Sequence, residues 1–244
     1  MKGYIIGLLE ILLFLIGAFS FRKCFTQLQS INKATYYWIM MTVLTGIWEI
    51  AFLCNYNNVS NMAQELITTN QHVWTKADYD ISDVLPWKLS YIFYSEYGAW
   101  ADREYMSHTN DWSRIIEASH CSQCAFFALF AILFKLWGNH NNFLIALSAA
   151  MGTQLMNSFL YMCAYFIQER EQESPNYNNA TFPAGDFLEK RLFMWVNIFW
   201  LVMPFFTIAY YLLSNIIRSN RIMNYLLDDY NKEIKKLPDD VLLF

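Results

Sequence analysis

Apolar residues along this chain come in long runs, not in the short periodic stripes of a water-soluble domain. Five runs reach the roughly 20 residues a helix needs to cross a bilayer: residues 4–21, 36–56, 112–137, 143–167 and 192–217. Lipid offers the backbone no hydrogen-bond partners, so runs of this length form helices. The pattern predicts an all-α polytopic membrane protein, a five-transmembrane-helix bundle occupying residues 1–217. No small-residue cleavage site follows Phe21, so the first run reads as a retained helix and not as a signal peptide.

The polar segments add detail. Residues 57–86 read as polar and irregular. Pro86 then opens the stretch Trp87-Lys88-Leu89-Ser90-Tyr91-Ile92-Phe93-Tyr94, which predicts an interfacial helix between spans two and three with an aromatic belt. The tail, residues 218–244, is polar, and Leu226, Leu227 and Ile234 make part of it amphipathic, so it should lie against the membrane or a partner. Five spans put the termini on opposite sides. Lys and Arg are densest in residues 22–35, 135–142 and the tail, which predicts a cytosolic or inside C-terminus and a lumenal or outside N-terminus. Both glycosylation sequons, Asn58-Val59-Ser60 and Asn179-Ala180-Thr181, then fall on the outside face.

Composition agrees with the pattern: 56% of the 244 residues are hydrophobic and 16% charged, against about 45–50% and 25% in soluble domains. The aromatic content of 18% excludes a disordered chain, and five cysteines in this length exclude a disulfide scaffold. A net charge of −4 without a basic cluster gives no reason to expect nucleic acid. Cys121-Ser122-Gln123-Cys124 has redox-motif spacing but lies in an apolar span, so both cysteines read as packing residues. Neither a metal nor a cofactor is predicted.

The spans also carry groups that lipid penalises. Glu10, Glu49 and Glu117 are intramembrane carboxylates, which point to function by default. Glu117 lies one turn before His120, on the same helix face, and Thr45 lies one turn before Glu49. The fourth span adds Gln154, Asn157, Ser158 and Tyr161, and the fifth Asn197 and Trp200. Desolvation favours the neutral form of a carboxyl group, so two carboxyls in one cavity can serve as acid and base on an apolar molecule. An indole face would stabilise a transient cation. The plainer reading of Gln154, Asn157 and Ser158 is interhelical hydrogen bonding, and that of Glu10 a structural or partner contact.

The fifth span, Asn197-Ile198-Phe199-Trp200-Leu201-Val202-Met203-Pro204, resembles the N-x-x-W-L-V-x-P signature of the emopamil-binding protein family, sterol Δ8–Δ7 isomerases of the five-span EXPERA group. Gln154 and Tyr161 keep the family's Q…Y separation. Glu96-Tyr97 followed by Asp102-Arg103-Glu104-Tyr105 resembles its E-Y-x-x-x-D-x-R-Y segment with one residue inserted. The likeness covers roughly residues 36–217, with Glu49 and Glu117 near the family's two catalytic glutamates. It implies that an acid protonates the Δ8 double bond, a tertiary carbocation forms, and a base removes the C7 proton. Glu49, Glu117, Asn197 and Trp200 are the implied catalytic set, to which His120 is added for its place on the Glu117 face. Thr45, Tyr97, Tyr105, Gln154 and Tyr161 are the implied ligand-binding set, for a sterol-like ligand drawn from membrane lipids. The endoplasmic reticulum is the implied location.

The sequence also departs from that family. Thr45 replaces the His one turn before the first glutamate, His120 replaces the Thr one turn after the second, and Asn157-Ser158 replaces a G-D pair. These departures support an alternative: a catalytically inactive member, serving as an accessory or structural subunit of a larger membrane complex, the mitochondrial inner membrane included, or as a lipid-binding protein or homodimer. A receptor similar to the sigma-2 branch ranks below both, because that branch lacks the N-x-x-W-L-V-x-P run. Transporters are disfavoured by the lack of inverted repeats and broken helices.

Overall fold

The computed structural model describes the backbone of residues 1–76, 79–102, 111–168 and 192–234, with side chains throughout except 111–118, 164–168, 192–194, 231 and 233–234. Every regular element among the described residues is helical. In chain order these are α1 (Gly3–Cys24), a short turn (Thr26–Gln29), α2 (Lys33–Thr69), a 3-10 turn (Ile81–Val84), α3 (Pro86–Trp100), α4 (Asp111–Leu136), α5 (His140–Gln168), a second 3-10 turn (Leu192–Asn197) and α6 (Ile198–Ile234). Among the described residues, five helices are long and apolar enough to cross a membrane: α1, α2, α4, α5 and the stretch Trp195–Tyr230. The protein is therefore a helical membrane bundle. Two compact units can be distinguished, Met1–Pro204 and Phe205–Phe244.

α1 turns most of its surface outward: Leu8, Ile11, Leu12, Leu13, Leu15, Ile16 and Phe19 are all exposed, as expected of a face that lipid covers. Its first turn is anchored by the loop after α2. The Gly3 N–H donates to the Lys76 carbonyl at 3.1 Å and the Tyr4 N–H to the Trp74 carbonyl at 3.1 Å, which satisfies donors that a helix start leaves without an intrahelical partner. At its other end, Arg22 Nη2 donates to the carbonyls of Gln29 and Ile31 at 3.0 and 2.7 Å and lies over the Tyr36 ring. One cation thereby ties the short connector to α2.

α2 starts on an Asn32 cap, whose Oδ1 accepts from the N–H groups of Ala34 and Thr35. Its 37 residues would extend about 55 Å, well past the ~30 Å hydrocarbon core. The backbone leaves helical geometry at Asn55 (φ −114°, ψ 16°), where the second apolar run ends. Here the expectation for residues 57–86 needs correction, because the helix continues to Thr69. Val59, Ala63 and Leu66 recur at helical spacing among polar neighbours and are buried in the main apolar cluster with residues of α3. Of the described residues in this stretch, only 70–76, 79–80 and 85 are irregular.

α3 opens with Pro86 in its first turn, where a missing N–H costs nothing. It runs to Trp100 and buries Leu89, Ile92, Tyr94, Tyr97 and Trp100. The aromatic residues after Phe93 serve as core. Ser90 Oγ donates to the Trp48 carbonyl at 2.6 Å, and the Tyr94 ring stacks on Phe52 at 4.8 Å. α2 meets α4 at Gly46, where an added Cβ would lie 2.1 Å from that of Ala125. Small residues at such crossings let membrane helices approach closely. α4 ends through Gly138 in the left-handed conformation (φ 74°), which suits glycine. Asn139 then caps α5 by accepting from the Asn142 N–H at 3.1 Å.

The described part of the second unit is the remainder of α6, from Phe205 to Ile234. Leu212, Leu213, Ile216 and Ile217 are exposed along it, as are Leu226 and Leu227 further on. The tail is helical as far as Ile234, within the same helix as the fifth span. Within the first unit, Pro204 has no N–H, so the Trp200 carbonyl four residues earlier lacks its usual helical donor.

Candidate functional site

One cavity within the first unit collects most of the residues singled out above. α2 contributes Thr45, Trp48 and Glu49; α3 contributes Phe93, Tyr94 and Tyr97; α4 contributes His120, Cys121 and Cys124. α5 adds Gln154, Asn157, Ser158 and Tyr161, and the last wall is Val196, Asn197 and Trp200. The space within it is about 90 Å³, smaller than the ~300–1,000 Å³ clefts that hold drug-sized ligands. A four-ring molecule therefore requires side chains of the wall to move aside.

Glu49 is buried at 6% exposure and accepts a hydrogen bond from the Tyr94 hydroxyl. Burial, reinforced by the Glu49 carboxylate, pushes the Tyr94 phenol well above its ordinary range, so Tyr94 stays a protonated donor. The Thr45 hydroxyl, one turn before Glu49, donates to the Thr42 carbonyl at 3.0 Å in its own helix. Threonine commonly bonds back in this way in helices.

His120 lines the same cavity as Glu49. Its Nε2 lies 2.9 Å from the Thr153 carbonyl, while its buried Nδ1 has no partner among the described residues. A carbonyl can only accept, so Nε2 carries the proton, and in the neutral ring Nδ1 is an acceptor. Cys124 Sγ lies 3.5 Å from Nε2 and is nearly fully buried, which fits its reading as a packing residue. The helix position of Glu117 is described, but its side chain lies outside the described residues, as does Tyr105 entirely.

Trp200 meets Trp38 edge to face at 5.2 Å between ring centres. The Trp38 Nε1–H donates to Gln154 Oε1 at 2.8 Å, and Gln154 Nε2 donates to Thr42 Oγ1 at 3.4 Å. Gln154 thus fastens α5 to two successive turns of α2 while lining the cavity. Glu10, in α1, is also buried. The buried Trp48 Nε1 is not in hydrogen-bonding geometry with any described residue.

A second carboxylate enters through α5. The Tyr161 hydroxyl donates to Asp102 Oδ2 at 2.6 Å and lies 2.6 Å from the Tyr97 hydroxyl, to which Asn197 Nδ2 donates at 3.1 Å. Asp102 is only 3% exposed. Hydropathy passes over it because it follows the end of α3, outside every apolar run. Its signal in the sequence is its place in the Glu96-Tyr97…Asp102 segment. Glu96, by contrast, points away from this network: its carboxylate lies 2.6 Å from His72 Nδ1 and accepts from the Val73 N–H at 2.9 Å.

No family model, curated protein or solved structure matches this chain.

Proposed function

We propose that this membrane protein acts in the manner of a sterol Δ8–Δ7 isomerase, as its resemblance to the emopamil-binding protein family implies. The observation that carries the reading is the grouping of Glu49, His120, Asn197 and Trp200 around one cavity. In its protonated form Glu49 gives its proton to one carbon of the ring double bond. The resulting cation is faced by the Trp200 indole, and loss of a neighbouring proton restores a double bond one position along. Tyr94, which donates to the ionised form of Glu49, stabilises the carboxylate left after proton transfer. The test is conversion of a Δ8 sterol by the purified protein beside Glu49→Gln. The reading requires conversion by the wild type and a loss of at least about 10²-fold in the variant, the lower end for a general acid. Equal rates, or no conversion by folded wild-type protein, would refute it.

A second reading rests on the small cavity volume and on Thr45, whose hydroxyl is turned to its own helix. In that reading the polar wall is structural and the protein is an accessory subunit of a membrane complex or a lipid-binding component. The exposed apolar length of α1 then meets partner helices as well as lipid. Solubilised in a mild detergent, such a subunit would migrate with a large assembly and leave no free pool.

A further inference from the structure

We propose that Asp102 is a second proton-handling carboxylate of the cavity, reached through Tyr97 and Tyr161. This rests on the isomerase reading and extends it to Asp102, which neither the implied catalytic set nor the implied ligand-binding set contains. Hydrogen accounting gives the direction. The Asn197 amide nitrogen can only donate, so at 3.1 Å the Tyr97 oxygen is its acceptor. An ionised carboxylate can only accept, so at 2.6 Å the single Tyr161 proton is given to Asp102. The remaining 2.6 Å contact must then run from the Tyr97 O–H to the Tyr161 oxygen. Every proton in the series points from the cavity wall toward Asp102.

Such an ordered series moves one net proton without moving any heavy atom. A proton leaving the substrate cation arrives at the Tyr97 oxygen as the Tyr97 proton passes to Tyr161 and the Tyr161 proton passes to Asp102 Oδ2. The electron pair of the broken C–H bond becomes the π bond of the new alkene. Both tyrosines end neutral, Asp102 ends protonated, and the substrate cation is discharged. Glu49 has meanwhile lost the proton it gave at the start, so the site as a whole keeps its proton count. Exchange of Asp102 and Glu49 with water then resets it. Asp102 acts through its neighbours and is a positioning residue; Tyr97 and Tyr161 line the cavity itself.

The experiment uses the full-length protein in detergent with a Δ8 sterol as the probe, and compares Asp102→Asn, Asp102→Glu, Tyr161→Phe and Tyr97→Phe. We expect kcat to fall by about 10²-fold or more in Asp102→Asn and Tyr161→Phe, with KM within about a factor of 2 and partial recovery in Asp102→Glu. In wild type, kcat should curve against the deuterium fraction of the solvent, as several protons move together, and should become linear in Tyr161→Phe. An unchanged kcat, or curvature that persists in Tyr161→Phe, overturns the proposal. If folded wild-type protein does not turn over the sterol, the isomerase reading falls, and the series is then judged by infrared spectroscopy. The Asp102 carboxylate band, identified by its loss in Asp102→Asn, should shift in Tyr161→Phe and by a smaller amount in Tyr97→Phe. A band that moves in neither variant overturns the ordered series independently of catalysis.

Discussion

Glu49 and Glu96 are nearly equally buried, at 6% and 3% exposure, yet they sit in opposite kinds of surroundings. Glu49 accepts from a neutral phenol and borders open space. Glu96 is gripped by His72, whose side chain is half exposed, and by the Val73 N–H. The loop carrying those two groups also receives the first N–H donors of α1, so Glu96 is a clamp that fastens α1, the loop and α3 together. Burial alone does not separate a working carboxylate from a structural one. The partner does: a histidine and a backbone donor offset charge in place, whereas a tyrosine beside a cavity leaves the carboxylate able to exchange a proton.

The contrast can be broken at either end. The largest effect is expected from Glu49→Gln, which should lower sterol turnover by about 10²–10⁴-fold while Glu96→Gln leaves turnover nearly unchanged; both are read by product formation under single-turnover conditions. Gly46→Leu comes next. The side chain has no room against Ala125, so overpacking should cost about 1–3 kcal/mol, measured as a lower unfolding midpoint in detergent together with loss of the cavity's activity. Tyr94→Phe should cost about 1 kcal/mol by removing one donor from a buried carboxylate. It should also slow turnover less than Glu49→Gln does, because the acid itself remains.

The smallest effect sharpens the comparison through pH. Burial pushes the Glu96 carboxyl above its ordinary value, against the opposing hydrogen bonds of His72 and Val73. A pKa higher in the folded than in the unfolded chain contributes stability that is complete below the ordinary carboxylate value. That contribution is lost as pH rises through the raised one. Wild-type stability should therefore decline over that interval and Glu96→Gln should flatten the decline, as followed by thermal unfolding at a series of pH values.

Much of the architecture was legible in the apolar runs, because crossing a bilayer demands length and composition that few other folds require. The continuation of α2 to Thr69 was not. Val59, Ala63 and Leu66 are sparse among asparagines, and their spacing becomes meaningful only once α3 lies alongside to bury them. Glu49 and His120 stood out as polar groups in apolar helices. Gln154 stood out equally, but the structure shows it committed to Trp38 and Thr42. Asp102 did not stand out, since a carboxylate in a polar segment is unremarkable until its neighbours exclude water.

By itself, the sequence determined the helical membrane class, the five spans and the short set of polar residues within them, because the cost of placing charge and bare backbone in lipid acts on each segment separately. Only the tertiary structure decided which of those residues share a cavity, which way the His120 proton points, and that Tyr97 and Tyr161 link Asn197 to Asp102. Those outcomes depend on hydrogen bonds between residues 33 to 100 positions apart, and such bonds form or fail according to how the helices pack, which no local pattern encodes.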